Sequence, residues 1–277
     1  MKWQASNRRR YRQEMIKQEL HIFLTAVMFY TRIPCPSWVD HNPTYIRRST
    51  KYLPVIGWIV GAVYACAILI FLKVFSPLIS LFGALAVSVL LTGAFHEDGF
   101  ADVCDGFGGG WTKEKILGIM KDSRVGTYGV VGLFLLLGTK IFITLDLLSA
   151  LDNQLIFALT IISSHTLSRM TAISVIFFQS YARAETDQSK AKPVATGVNK
   201  SDFMLALLFS ALPFSFLILY TDLWYLLIII VLLAMTSYLM RYFKKWIGGY
   251  TGDCLGATQQ VNEVIFLLTT YAVWKFI

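Results

Sequence analysis

Charge is scarce in this sequence: Asp, Glu, Lys and Arg make up 15% of its 277 residues, against 56% apolar. Ordinary soluble domains carry roughly 25% charge. That shortage, with apolar residues in blocks longer than a soluble core needs, excludes a hydrated globular protein of one or two domains. Cysteine is also sparse. Cys35, Cys66, Cys104 and Cys254 show no C-x-x-C spacing, which excludes a disulfide framework, a zinc ribbon and a dithiol redox pair. Neither G-x-x-x-x-G-K-[ST] nor a strand-to-helix G-x-G-x-x-G is present, so P-loop and Rossmann readings fail. No cleavable leader is expected at this N-terminus: residues 1–20 are polar and basic, and the apolar stretch 22–30 is short and has no small-residue cleavage site. Arg8-Arg9-Arg10 stands too far from a strong apolar region for a twin-arginine signal. The expectation is a basic cytoplasmic tail followed by a short interfacial or re-entrant helix over 22–33.

What the sequence does have is apolar runs of the length at which a helix crosses a bilayer, about 18 residues or more. The expected fold is all-α, a polytopic membrane helical bundle of about seven transmembrane helices, over 53–74, 77–95, 128–148, 155–178, 203–220, 223–240 and 263–276. Residues 1–52 then form the basic tail and interfacial helix, and 53–277 a single transmembrane catalytic domain. Connections at 75–76, 149–153 and 221–222 are tight and nearly uncharged. Those on the other side are longer and basic: 8–51, 113–124, 183–200 and 241–245. The positive-inside rule puts the N-terminus and these basic loops in the cytoplasm and the C-terminus outside. The net charge of +8 then reads as topology and contact with anionic lipid, with the bilayer as partner and no nucleic acid. Polar complexity confined to one face favours an enzyme or a one-sided binding surface over a transporter.

The chemistry concentrates after the second span, in His96-Glu97-Asp98-Gly99-Phe100-Ala101-Asp102-Val103-Cys104-Asp105-Gly106, expected as an acidic, glycine-rich cytoplasmic loop. If helical, it places Asp98, Asp102 and Asp105 at i, i+4 and i+7, within roughly 60° of one another. Like charges at that spacing repel, so a cation should sit against them. Mg²⁺ suits few carboxylates plus phosphate oxygens, whereas a plain solvated acidic face is the alternative. Glu97 lies off this stripe. The glycines of 106–110 allow close approach of a phosphate or serve as a flexible linker. Lys121 and Arg124 can grip phosphate and Asp122 extend a metal shell, or the group is a basic membrane edge. Asp253, flanked by glycines, can reach the same cation or cap a helix. Inside the fourth span His165 and Arg169 share a face; a mid-membrane arginine must face a polar cavity, over the active site or paired with Asp146 or another span's polar group. Arg32, Arg47, Arg48 and Lys51 form an anion-attracting mouth or bind lipid. Together these features suggest metal-assisted phosphoryl transfer, with His96 placed either to act as a base or to support or cap its neighbours.

Four stretches, Phe29-Tyr30-Thr31-Arg32-Ile33-Pro34, His96 to Gly110, Ile119 to Gly129 and Gly249 to Ala257, resemble in order the cobalamin synthase family, also called adenosylcobinamide-GDP ribazoletransferase. The resemblance implies Mg²⁺-dependent joining of adenosylcobinamide-GDP to α-ribazole or its 5′-phosphate, with release of GMP. Its acidic motif falls on Glu97, Asp98, Asp102 and Asp105, its Lys-Asp-Ser-Arg motif on Lys121 to Arg124, and its last aspartate on Asp253. The expected site is therefore His96, Asp98 and Asp102 for catalysis, and Arg32, Lys121, Arg124, Arg169, Gly108 and Gly109 for substrate. Glu97, Asp98, Asp102, Asp105, Asp122 and Asp253 are the expected metal ligands. A homo-oligomer or a complex with other enzymes of the pathway is left open. CDP-alcohol phosphotransferases are a rival, since Asp102-Val103-Cys104-Asp105-Gly106 fits their opening motif, but Gly109-Gly110 stands where they have Ala-Arg. A transporter is the second rival, disfavoured by the one-sided loops.

Overall fold

The computed structural model describes residues 2–183 and 197–276, with side chains from residue 13 onward. Most of the basic segment expected at 183–200 and the side chains of Arg8 to Arg10 thus lie outside the described residues. The helices are α1 (Lys2–Tyr30), α2 (Pro43–Ser49), α3 (Leu53–Phe71), α4 (Pro77–Thr92), α5 (Phe95–Gly109) and α6 (Lys113–Ile119), then α7 (Thr127–Ala150), α8 (Gln154–Phe178), α9 (Lys200–Tyr220), α10 (Leu227–Ile247) and α11 (Gly252–Phe276). Short 3₁₀ turns lead into α3 and α10. The described residues contain no strand, only an isolated parallel bridge between Tyr181 and Tyr250.

Every expected span coincides with a helix, but the count of seven does not hold by length and apolarity. Among the described residues five helical stretches meet that standard, Pro43–Phe71, Thr127–Ala150, Gln154–Phe178, Lys200–Tyr220 and Leu223–Ile247. A sixth does so only if α4 and α5 count as one span bent by 91°. The bend falls on Gly93 (φ +67°) and Ala94 (φ +57°). The left-handed region costs glycine little and alanine more. The seventh, α11, has 25 residues and could reach about 37 Å at 1.5 Å per residue. Asp253, Gln259, Gln260, Asn262 and Glu263 make it too polar for the standard. The N-terminal expectation also changes. In place of a short helix over 22–33 there is one helix of 29 residues ending at Tyr30. Residues 2–30 contain no glycine or proline to interrupt it, and Pro34 and Pro36 follow its end.

Polar residues survive in α11 because neighbouring helices shield it from lipid. The centre of the bundle is α8 and α11, packed on each other and flanked by α3, α5, α7, α9 and α10. Helix α3 reaches α8 through Gly57 and Gly61: a Cβ at either would collide with the α8 backbone at His165 or Ile162. This is the small-residue contact that lets membrane helices approach. Outward faces carry aliphatic and aromatic side chains such as Phe134, Leu219, Ile230 and Leu233.

The two ends of the bundle differ in the way the loop alternation requires. At one end α6, the exit of α8 and the α10–α11 connection converge, with Ile116, Met120, Phe243, Ile247 and Tyr250 in one buried cluster. At the other, the turns at Leu151–Asn153 and Thr221–Asp222 gather with Tyr225 and Trp274.

Candidate functional site

The acidic segment is a helix, not a loop. Helix α5 runs through the glycines to Gly109, so the stripe geometry applies. Asp98 and Asp102 lie on it, and Asp253 enters from the first turn of α11. Close approach of these two helices needs small residues on both sides. A Cβ at Gly99 would lie 3.1 Å from the Asp253 backbone, and one at Gly256 would lie 3.0 Å from the carbonyl of His96. Asp102 is half-buried with Asp253, Asp98 and Asp105 as like-charged neighbours and Arg183 as the opposing charge. Arg183 Nη2 donates to Asp253 Oδ2 at 3.0 Å. The arginine is delivered by the bridge at Tyr181 and Tyr250, where Ala182 N donates to Tyr250 O at 2.8 Å and Tyr250 N to Ser180 O at 3.2 Å. Gly249 is required there, since a Cβ would strike the Ser180 carbonyl. Sequence reasoning left Arg183 among the loop charges; only the bridge shows that it meets Asp253.

Asp105 leaves the cluster. Its two carboxylate oxygens accept from Gly126 N at 2.7 Å and Gly129 N at 2.8 Å, the free donors at the start of α7. A Cβ at Gly126 or Gly129 would run into that carboxylate. Asp105 is thus buried as a capping anion, with both oxygens engaged. Asp122 is engaged as well, exposed and bound by Arg124, whose Nη2 donates to Oδ2 at 2.6 Å. Hydrogen bonds from Arg124 hold the Asp122 pKa down at about 2. Lys121 and Arg124 are exposed beside it. Both carboxylate oxygens of Asp122 are thus taken by Arg124 of its own loop.

The glycines serve packing. Tyr128 lies against Gly108, Met120 against Gly106, and Ile116 against Gly110, each where a Cβ would go, with Ile119 close to Gly109. The Tyr128 ring lies where a Gly108 side chain would go, and Gly108 stays partly exposed. Gly109 stays exposed. Arg32 is exposed and sits over the α4–α5 bend, with its backbone N donating to Leu91 O at 2.7 Å and its guanidinium where a Cβ of Gly93 would lie. The neighbouring Arg48 and Lys51 are paired with Glu19 of α1, at 3.0 and 2.7 Å, so they do not form an open mouth.

Arg169 does not lie open over the acidic cluster. It is 1% exposed, donates from Nη1 to the His165 carbonyl at 2.8 Å, and stands 4.0 Å from Glu263 of α11. Glu263 also pairs with Lys140 of α7 and lies 3.2 Å from His165 Nδ1. Lys140 faces the Tyr64 ring at 5.4 Å. One turn away Gln260 Nε2 donates to Glu97 Oε1 at 2.9 Å. Glu97 therefore faces this buried network, off the aspartate stripe. The signal for it was present in the sequence: Lys140 and Glu263 are opposite charges within helices expected to span, and such residues pair inside a bundle.

His96 is buried and lines a narrow pocket of about 120 Å³ with Asp98, Asp253 and Gln259 on its polar side, and Phe29, Tyr30 and Phe95 on its apolar side. Among the described residues no three Asp, Glu, His or Cys side chains converge as a ready metal shell. Asp98, Asp102 and Asp253 nonetheless supply hard oxygen donors, with Arg183 as the one cation set against them among the described contacts, which fits a cation that takes one or two carboxylates and completes its shell with phosphate.

A helical membrane bundle with clustered carboxylates at one end defines a polytopic membrane protein with an acidic site. Comparison with known proteins gives the family: residues 22–271 match the cobalamin-5-phosphate synthase model, and the chain belongs to that family. It is 41% identical over 261 residues to the adenosylcobinamide-GDP ribazoletransferase of Shewanella piezotolerans, covering 93% of this chain and 98% of that one. It is 40% identical over 267 residues to the protein of that name from Leptospira interrogans, covering 95% and 99%. No solved structure matches the chain.

Proposed function

We propose that this protein is an adenosylcobinamide-GDP ribazoletransferase, joining the corrinoid phosphate of adenosylcobinamide-GDP to α-ribazole or its 5′-phosphate and releasing GMP, the last step in assembling cobalamin. The observation that supports it is the meeting of Asp98 and Asp102 on α5 with Asp253 on α11, beside His96. A ribose hydroxyl of the α-ribazole substrate attacks the corrinoid-side phosphorus, forming the new P–O bond. The bond from that phosphorus to the oxygen of GMP breaks, and GMP leaves with the electron pair. His96, on the pocket wall next to Asp98, takes the hydroxyl proton. Arg183, held on Asp253, and the exposed Lys121 and Arg124 offer positive charge to the diphosphate. Asp98, Asp102 and Asp253 would hold Mg²⁺, which supplies charge neutralisation on the diphosphate when bound. Asp105 caps α7, Glu97 faces the buried network, and Asp122 pairs with Arg124, so the metal set narrows to three of the six expected carboxylates. The same reading places the acidic end of the bundle in the cytoplasm, with residues 53–277 as the catalytic domain.

The test is GMP release by the purified, detergent-solubilised protein supplied with both substrates and Mg²⁺. Wild type should release GMP, and Asp102→Asn should lose at least about a hundredfold in rate with folding intact. His96→Ala should fall by about 10²-fold or more, the usual contribution of a general base. No GMP from wild type, under conditions in which the Shewanella relative works, would sink the assignment.

A further inference from the structure

The pocket beside the carboxylates has two unlike sides. Its polar side is formed by His96, Asp98 and Asp253. Its other side is an aromatic corner. The rings of Phe29, Tyr30, Phe95 and His96 meet edge to face at centroid distances of 5.0–6.0 Å, and Leu255 closes the apolar wall from α11. Phe95 lines the pocket and is 40% exposed, so part of its ring is uncovered by protein. Gln259, also lining the pocket and 1% exposed, has an Oε1 atom with no hydrogen-bond partner. A buried amide oxygen without a donor is costly, and a ligand O–H or N–H would satisfy it.

We propose that this pocket is the subsite for the base of the α-ribazole substrate, with Phe95 and Leu255 contacting the ring and Gln259 accepting from its ribose hydroxyls. This rests on the reaction proposed above. Three observations favour this moiety. A dimethylated benzimidazole offers apolar faces and no ring N–H, which suits an aromatic and aliphatic wall with one amide. A base seated in the corner also brings its ribose to the polar side, where His96 stands to take the attacking hydroxyl's proton. The volume of about 120 Å³ is small for a whole cofactor-sized ligand and suits a single bicyclic ring.

The test is steady-state kinetics with each substrate varied in turn, on wild type, Phe95→Ala and Leu255→Trp, with thermal melts as the folding check. The partial exposure of Phe95 and Leu255 makes both variants mild for folding. The KM for α-ribazole 5′-phosphate should rise about tenfold in each, in line with the loss of one ring contact, while the KM for adenosylcobinamide-GDP and kcat hold. An unchanged acceptor KM, or equal rises for both substrates, overturns the subsite. A second arm needs only wild type: α-ribazole 5′-phosphate should displace bound, fluorescent 5,6-dimethylbenzimidazole, and ribose 5-phosphate should not. Equal displacement by ribose 5-phosphate, or none by either, overturns it as well. Failure of the subsite leaves wild-type GMP release intact, whereas failure of the reaction itself abolishes that release.

Discussion

Glu263 stands among three basic side chains, Lys140, His165 and Arg169, all buried. In hydrocarbon an ion is tolerated only when paired, so this carboxylate is the counter-charge on which the centre of the bundle depends. Glu263→Gln should lower stability by about 3–5 kcal/mol, the usual cost of breaking a buried pair, seen as a marked fall in the melting temperature in detergent. Adding Lys140→Met should recover part of the loss; a double variant no more stable than Glu263→Gln would contradict the pairing. Asp105 illustrates the same economy of charge on a smaller scale. It reads in sequence as a third metal ligand, yet the start of α7 claims both of its oxygens. Helical spacing put it on the aspartate stripe, and nothing local could tell that Gly126 and Gly129 had been left bare to receive it. The converse holds for Glu97, which spacing placed off the stripe and which Gln260 holds there.

Helix boundaries were the legible part of the fold, because each apolar run ends at turn residues or charge. The polar half of α11 was not legible as a span, since shielding by α5, α7, α8 and α10 is a property of the assembled bundle and leaves no mark on local hydropathy. The continuous α1 was missed for a related reason: its first twenty residues are basic and polar, and only the absence of glycine and proline argued for a helix. This helix is fastened to the bundle through Glu19, which binds Arg48 and Lys51 and accepts from Tyr52 at 2.9 Å. Burial pushes the Glu19 pKa up. The hydrogen bonds from Lys51 and Tyr52, with the charges of Lys51 and Arg48, outweigh that and hold it below its ordinary value. A lowered folded-state pKa means that the clamp is intact above the ordinary carboxylate value of 4.5 and is lost as pH falls through the lowered one. Protection factors of α1 amides, taken against the intrinsic rate at each pH, should accordingly be high at neutral pH, fall on acidification below that range, and already be low at neutral pH in Glu19→Gln. Equal protection of α1 in wild type and Glu19→Gln at pH 7 would show that the clamp holds nothing.

At the scale of the whole molecule, the bundle brings to one end what the chain keeps far apart. Asp98 and Asp253 are separated by five helices in sequence, and Gly99 and Gly256 let their backbones touch. Sequence spacing could group Asp98, Asp102 and Asp105, and glycine neighbours could mark Asp253. The grouping of Asp98 and Asp102 with Asp253, on which Arg183 is held, came only from the packing of α5 on α11. That grouping is what a direct comparison of variants can test. GMP release from adenosylcobinamide-GDP and α-ribazole 5′-phosphate should be measured for Asp102→Asn, Asp253→Asn and Asp122→Asn, each folded by thermal melt. The carboxylates joined between α5 and α11 predict near-complete loss for the first two and no more than a severalfold fall for the third. Full activity in Asp102→Asn and Asp253→Asn, or a loss in Asp122→Asn as deep as theirs, would contradict the site described for this family member.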